Sequence, residues 1–192
     1  MASTYLDKLN KKAFAAGIER NTDDSLKWFQ NQLKDIKSVN RQGLLNEFDA
    51  RKPLSGRMFC YFYDPKHKKT LPYYDRFPLI FMVEKAEGGF YGLNLHYLPH
   101  KYRAIFFDRL TDLTNNKKYD KTTRIRLKYE LLKKSSKFKY FQPCFKHYLT
   151  KHVKSKIVEV PSQHWESVLF MPTEQFKKAS KNTVWRESKK QF

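Results

Sequence analysis

The sequence predicts an α+β protein with a small antiparallel sheet of three to four strands, either open or curved into a partly open barrel. Residues 58–98 carry short apolar and aromatic runs bounded by turn signals, a pattern typical of strands. The stretches on both sides repeat apolar residues at helical spacing instead. Because so small a sheet is not stable alone, we expect the helices to pack on one of its faces.

The chain has 192 residues, and 40% of them are hydrophobic. This composition allows a sizeable buried core and excludes a wholly disordered chain. We predict three regions: an N-terminal helical arm over 1–57, an α+β core domain over 58–180 and a basic tail over 181–192.

The N-terminal arm contains two predicted helices. Apolar residues at helical spacing predict the first over 3–16, and Gly17 is a suitable stop. The second begins at Thr22 or Asp23, where acidic residues favour the start of a helix. Residues 40–57 show no clear period, so we expect a loop that contains at most a short helix at 43–48.

Three strands are predicted over 58–63, 78–83 and 90–95. Glu87-Gly88-Gly89 separates the last two and is a good hairpin turn, because glycine accepts positive φ without steric cost.

Three helices and a strand follow. Pro99 opens the first helix, with an apolar stripe at Tyr102, Ile105, Phe106, Leu110 and Leu113. Asp120 caps the second, which extends to about 134. The third runs over 143–156 and buries Phe145, Tyr148, Leu149 and Val153. A strand over 156–160, helices over 162–170 and 172–180, and a tail anchored by Trp185 complete the prediction.

Positive charge is concentrated in the second half of the chain. The net charge is +20; residues 1–96 carry 16 basic and 11 acidic side chains, whereas residues 97–192 carry 23 and 8. Residues 117–156 alone hold fourteen Lys and Arg against two acids. A surface that only faces solvent normally mixes both signs, so we expect this segment to contact a polyanion.

The expected partner is DNA bound without sequence readout, because lysine, which dominates here, contacts phosphate as a point charge. The predicted phosphate contacts are Lys117, Lys118, Lys121, Arg124, Arg126, Lys128, Lys133, Lys134, Lys137 and Lys139. The predicted stacking groups are Tyr140 and Phe141, and a second contact is formed by Tyr73, Tyr74 and Arg76. Two alternatives stay open. The basic surface could dock acidic virion proteins instead of DNA, and the aromatic residues after position 137 could belong to the core instead of stacking on bases.

The sequence predicts no enzyme, cofactor or metal site. It contains no glycine-rich phosphate loop, dinucleotide fingerprint or nucleophile elbow. A metal-dependent nuclease is the third hypothesis, and it would use Asp64, Asp75, Glu84 and Glu87, although their spacing fits no metal-nuclease motif. Pro99 breaks helical geometry between His96 and His100, so we expect structural histidines rather than metal ligands.

Cys60 and Cys144 each lie among aromatic residues and are predicted to be buried free thiols. No segment reaches the roughly 18 apolar residues that a membrane span needs. The start of the chain lacks the features of a secretory signal. These observations predict a chain without a membrane partner.

The central block resembles an uncharacterised structural or assembly protein family of large contractile-tailed bacteriophages. The resemblance rests on Phe59-Cys-Tyr-Phe-Tyr-Asp-Pro65, Leu71-Pro-Tyr-Tyr-Asp-Arg-Phe-Pro-Leu79 and Gly92-Leu-Asn-Leu-His-Tyr-Leu-Pro-His-Lys-Tyr-Arg103. It implies a non-enzymatic virion or virion-assembly protein that belongs to a larger assembly and lies in the virion, or in the host cytoplasm during assembly. It implies no catalytic residue.

Overall fold

A computed structural model describes residues 5–115, 118, 121–135, 137 and 139–190, without the side chains of 113–115, 121–126, 135, 139 and 140. Within these residues the chain forms seven α-helices, a five-stranded antiparallel sheet that does not close, and a separate two-stranded sheet. The predicted α+β class is confirmed. The main sheet has more strands than the sequence predicts.

The helices and strands have the following bounds. The helices are α1 (Tyr5–Ala15), α2 (Asp23–Leu33), α3 (Arg41–Glu47), α4 (His100–Asn115), α5 (Lys121–Ser135), α6 (Trp165–Phe170) and α7 (Lys181–Lys190). The strands are β1 (Met58–Cys60), β2 (Tyr74–Asp75), β3 (Leu79–Ala86), β4 (Gly89–Asn94), β5 (Phe145–Leu149), β6 (Val158–Val160) and β7 (Phe176–Lys177).

The main sheet has the strand order β5-β4-β3-β1-β6, and β2 pairs with β7 beside it. In β1, Phe59 lies opposite Ile80 of β3 on one side and Glu159 of β6 on the other. The β3–β4 hairpin turns through Gly88, whose φ of 67° is the left-handed conformation that glycine accepts freely. The predicted hairpin turn is therefore confirmed.

The two faces of the main sheet bury different side chains because successive residues of a strand point to opposite faces. On one face, Met58, Cys60 and Phe81 join the main hydrophobic cluster with residues of the helices. On the other face, Phe59 and Ile80 join a smaller aromatic cluster. The smaller cluster continues through the members Tyr61, Tyr63, Met82, Phe90 and Tyr148.

The N-terminal helices pack against the main cluster, and α2 starts where the sequence predicts. Thr22 and Ser25 form a capping box at the start of α2, with Ser25 N donating to Thr22 Oγ1 at 3.1 Å. The carboxylate of Glu166 is buried on α6 and accepts hydrogen bonds from Arg20 Nε at 2.5 Å and Asn21 N at 3.0 Å. This charged pair joins the start of α2 to α6.

The predicted helix over 143–156 is wrong. Residues 145–149 form strand β5, which pairs with β4 and places Lys146 opposite Gly92. Gly89 permits this pairing, because a Cβ there would lie 1.8 Å from the carbonyl oxygen of Tyr148. Pairing with the free edge of β4 thus overrides the helical spacing of the apolar residues in this segment.

The predicted helix over 172–180 is also wrong, because residues 176–177 form β7 against β2. The backbone N–H of Gln175 donates to the carboxylate of Asp75 at 3.0 Å, which holds this segment extended. Residues 181–190, where the sequence shows no apolar stripe, form α7. Its cap is Ser180, whose Oγ accepts from Thr183 N at 3.2 Å.

Helix α4 differs from prediction in its buried face. Ile105 is 43% exposed, whereas Phe106, Phe107 and Leu110 are buried. Arg103 is fully buried and donates to the carbonyl oxygens of Leu98 and Leu169 at 2.7 and 2.9 Å. The buried face of α4 thus contains Arg103 and Phe107 in place of the predicted Ile105.

Candidate nucleic-acid interface

A pocket of about 360 Å³ lies between the loop over 64–73 and strand β5. Five tyrosines line it: Tyr63, Tyr73, Tyr74, Tyr97 and Tyr148. Four basic residues also line it: Lys66, His67, Lys146 and His147. We call this site the tyrosine pocket.

The tyrosines differ in exposure. Tyr63, Tyr97 and Tyr148 are buried, whereas Tyr73 and Tyr74 are half-buried. The ring centroids of Tyr73 and Tyr97 lie 6.2 Å apart. The Tyr63 hydroxyl accepts a hydrogen bond from Leu149 N at 3.1 Å, which fixes one ring against β5. The pocket therefore has a fixed aromatic interior and two rings that ligands can reach.

The basic residues surround this aromatic interior. Lys146 is half-buried, and its Nζ lies 4.5 Å from the centroid of the Tyr97 ring. Burial lowers the pKa of Lys146, since the charged ammonium loses hydration. Lys66, His67 and His147 are exposed. Within the described part of the chain, no carboxylate forms an ion pair with Lys146.

Asp75 is the acidic residue of the pocket lining, but its carboxylate is fully used inside the protein. Oδ1 accepts from Phe77 N and Gln175 N, both at 3.0 Å. Oδ2 accepts from Asn94 Nδ2 at 3.0 Å and lies 2.6 Å from Nδ1 of His96. Burial alone would raise the pKa of Asp75, but the interaction with His96 and these hydrogen bonds lower it.

The same buried network supports the walls of the pocket. His96 is fully buried, and its Nε2 lies 2.8 Å from Thr173 Oγ1. Asn94 Nδ2 also donates to the Tyr148 hydroxyl at 3.1 Å. We call the group Asp75, Asn94, His96 and Thr173 the Asp75 network. It connects β2, β4 and the segment before β7, so the tyrosines of the pocket keep a fixed arrangement.

The loop over 64–73 is closed by two side chains. Lys178 Nζ donates to the carbonyl oxygens of Lys69 and Leu71 at 2.9 and 2.8 Å. Lys68 pairs with Asp64 at 2.7 Å. These contacts hold the outer wall of the pocket against the two-stranded sheet.

Of the predicted second contact, the structure brings Tyr73 and Tyr74 into the pocket and leaves Arg76 exposed outside its lining. The predicted site residues did not include five that line the pocket: Tyr63, Tyr97, Tyr148, Lys146 and His147. Their convergence depends on β5 pairing with β4, and the sequence assigns β5 to a helix. The signal that could have found it is the β-favouring aromatic content of Phe145-Lys-His-Tyr-Leu149.

Many of the predicted phosphate contacts fall where the structure gives no side-chain placement. Lys117 lies outside the described residues. Lys121, Arg124, Arg126, Lys139 and Tyr140 belong to described helices, but their side chains lie outside the described part. Lys118 and Lys137 are exposed.

The lysines described on α5 have contacts within the protein. Lys128 Nζ lies 4.5 Å from the ring centroid of Trp165. The pKa of Lys128 is lowered to about 8, mainly by burial and to a smaller extent by repulsion from Arg57. Lys133 pairs with Glu84 at 3.2 Å, and Lys134 pairs with Glu130 at 3.6 Å. Each of these three lysines therefore has a partner within the protein.

Phe141, predicted as a stacking group, is half-buried, and its ring centroid lies 5.3 Å from that of Phe106. It packs against the main hydrophobic cluster. This placement favours the alternative that the aromatic residues after position 137 contribute to the core.

Comparison with known families provides an independent assignment. A family model with the description "Phage T4 terminal DNA protecting protein" matches residues 1–189. The chain belongs to this family. No curated protein and no solved structure matches the chain. Membership supports the bacteriophage origin implied by the central block, while the link to contractile-tail structure or assembly stays a prediction.

The four acids of the nuclease hypothesis have separate surroundings in this family member. Asp64 pairs with Lys68, Asp75 lies in the buried network and Glu84 accepts from the Tyr129 hydroxyl at 2.7 Å. Glu87 lies at the β3–β4 turn, where its carbonyl oxygen is 3.2 Å from Nε2 of His147. Across the described ranges, no three Asp, Glu, His or Cys side chains are grouped to hold a metal ion.

The two cysteines are free and buried, as predicted. Burial raises the pKa of both thiols, to about 12 for Cys144. Both therefore stay protonated at neutral pH. Among the helices that the structure describes, none combines the length and apolar character needed to cross a membrane.

Proposed function

We propose that this chain is a non-enzymatic bacteriophage protein that binds DNA without reading its sequence and protects DNA ends. The observation that carries the proposal is the family match, which spans residues 1–189 and whose description names terminal DNA protection. The net charge of +20 supports it, because phosphate neutralisation by Lys and Arg supplies most of the affinity for non-specific DNA.

The tyrosine pocket is the main DNA contact in this proposal. Cations beside aromatic rings are the combination that binds nucleic acid without sequence preference, since phosphates meet the charges and bases stack on the rings. The carboxylate of Asp75 does not oppose this use, because four donors within the protein occupy it.

The basic surface around α5 adds longer-range attraction. Lys118 and Lys137 are exposed contributors, and Lys117, Lys121, Arg124, Arg126 and Lys139 remain proposed phosphate contacts. Lys133 and Lys134 contribute less, because Glu84 and Glu130 partly neutralise them.

The protein would act in the virion, or in the host cytoplasm while particles assemble. A DNA-end protector must be present where linear genomes are packaged or delivered, which is consistent with a place in a larger assembly. Purified virions should therefore contain the chain, and mass spectrometry of washed particles tests this expectation.

A salt titration tests DNA binding. Filter binding to duplex DNA should give a steep negative slope of log affinity against log salt concentration, and unrelated duplexes should give the same slope. Absence of binding at low salt would contradict the proposal and favour a role in docking acidic virion proteins.

An exonuclease assay tests end protection. Linear duplex DNA saturated with the protein should be degraded more slowly than naked DNA. An endonuclease acting on closed circular DNA serves as the control and should be slowed less than the exonuclease by protein at the same concentration. Equal slowing of both nucleases would indicate general coating of DNA rather than protection of ends.

A further inference from the structure

We propose that the tyrosine pocket binds one unpaired nucleotide at the end of a DNA strand, so that the protein prefers ends with a single-stranded extension over blunt ends. This inference rests on the proposed function and specifies the DNA structure that the site recognises. It follows from the size of the pocket, its ring geometry and the position of its cations.

The size of the pocket sets the first limit. Its volume of about 360 Å³ lies at the lower end of the range of roughly 300–1000 Å³ that small-molecule sites occupy. That space suits one base with its sugar. A base pair stacked within a duplex cannot enter a pocket of this size, so duplex DNA could touch only the rim.

The aromatic lining sets the second limit. Inside a duplex, neighbouring base pairs cover both faces of each base. The terminal pair of a blunt end has one free face, but a whole pair is too wide for a pocket of this size, so a base must be unpaired to stack inside it. Tyr73 and Tyr74 are half-buried and present rings at the pocket, while Tyr97 and Tyr148 are held behind them. The lining therefore recognises the face of an unpaired base.

The cations set the third limit. Lys146 lies within the pocket beside the Tyr97 ring, and Lys66 and His67 lie on the loop opposite β5. A nucleotide that stacks inside would bring its own phosphate close to these side chains. Lys146 then meets that phosphate without a competing carboxylate among the described residues. Stacking on an aromatic ring needs no hydrogen bond to the edge of a base, so we expect the pocket to accept any of the four bases.

The test compares three DNAs of the same sequence by fluorescence anisotropy: a blunt duplex, the duplex with a short single-stranded extension, and a hairpin duplex closed at both ends. Wild type should bind the extended duplex about tenfold more tightly than the blunt one, in line with the stacking of one base. The closed duplex should bind no better than the blunt one.

Paired variants locate the preference. Tyr74→Leu should remove the tenfold preference, whereas Tyr74→Phe should keep it because the phenyl face remains. Lys146→Gln should weaken binding to the extended duplex more than binding to the blunt duplex. Lys11→Gln is the matched control, since Lys11 is exposed on α1 and does not line the pocket. Circular dichroism melting identifies any variant that fails to fold, and Lys146→Gln keeps the test decisive if Tyr74→Leu does not fold.

The outcomes separate this inference from the proposed function. Equal affinity for blunt and extended duplexes overturns the inference and leaves DNA binding intact. A preference that survives both Tyr74→Leu and Lys146→Gln overturns the assignment to the pocket. Competition by free mononucleotide as effective as that by the extended strand overturns recognition of a strand end. Failure to bind any DNA at low salt contradicts the proposed function itself.

Discussion

The tyrosine pocket and helix α5 are both rich in positive charge, but they hold it differently. On α5, Lys133 and Lys134 lie beside the carboxylates of Glu84 and Glu130. In the pocket, Lys146 packs on Tyr97 and forms no ion pair within the described residues. Within the basic segment over 117–156, which contains both groups, the sequence alone thus does not show which cations are available to a ligand.

The two regions also differ in how they are supported. The pocket stands on the Asp75 network, whose residues are buried and come from three segments of the chain. Helix α5 meets the sheet through partly exposed polar contacts such as Tyr129 to Glu84. We therefore expect substitutions behind the pocket to change stability strongly, and substitutions of the exposed charged residues of α5 to change it little.

The largest effect is expected for Asp75→Ala. Removing one partner of a buried charged network typically costs about 3–5 kcal/mol, because the donors around it lose their acceptor. Thermal and urea unfolding should show this loss as a lower Tm and midpoint. Asp64→Ala removes the same group from an exposed pair with Lys68 and should change the free energy of unfolding little. Equal stability of the two variants would contradict the supporting role of the network.

The next effect concerns DNA affinity. Lys146→Gln should lower the affinity for DNA with a single-stranded extension about tenfold, the size expected for one charged contact. It should also reduce the salt slope by about 0.7, the value for one phosphate of a single strand. Lys134→Gln should change both quantities less, since Glu130 already lies beside that ammonium. A larger loss for Lys134→Gln would reverse the comparison between pocket and helix.

Local sequence signals predict much of the helical framework. The capping box at Thr22, the stop at Gly17 and the start after Pro99 lie where the sequence places them, because each depends on residues within one turn. Strand β5 and the segment around β7 were not predictable in this way. Their conformation depends on pairing with β4 and on the carboxylate of Asp75, which are distant in sequence.

The candidate site was predictable only in part. In the sequence, Tyr73 and Tyr74 stand out because aromatic and basic residues surround them. The structure places both tyrosines in the lining of the pocket. The predicted helix over 143–156 gave no reason to place Lys146 and Tyr148 in the same site as these two tyrosines. In a strand, the edge pairing of β5 turns both residues toward the pocket.

A smaller effect is expected on acidification. Burial, with a contribution from Arg103, lowers the pKa of His100 to about 4, against about 6.5 in an unfolded chain. Between these values the unfolded state binds more protons, so stability falls as the pH drops from about 6.5 toward 4. The His100 ring lies 5.5 Å from that of Trp185, which donates to the carbonyl of His96 in the Asp75 network.

His100→Phe should remove this contribution. Between neutral pH and about pH 5, the free energy of unfolding should decrease by about 1 kcal/mol less in this variant than in wild type. This value allows for solvent screening on the exposed side of the ring. Urea titrations at neutral pH and at pH 5 measure the difference. On α5, the hydrogen bond from Tyr129 helps to lower the pKa of Glu84, so Glu84→Gln should not alter the acid dependence in this range. An unchanged acid dependence in His100→Phe would contradict the assignment.

The smallest effect is expected for Glu84→Gln. The amide can still accept a hydrogen bond from Tyr129, and exposed ion pairs such as that with Lys133 contribute little. We expect Tm to change by about 2 °C at most. Differential scanning calorimetry checks this value, and a fall as large as that of Asp75→Ala would show that α5 is supported as rigidly as the pocket.

Hydrogen–deuterium exchange with and without DNA tests most directly which region makes the contact. With a duplex that carries a single-stranded extension, backbone amides over 63–75 and 145–149 should become more protected, and amides over 121–135 should change less. Protection confined to 121–135, with no change around the tyrosine pocket, would contradict the account.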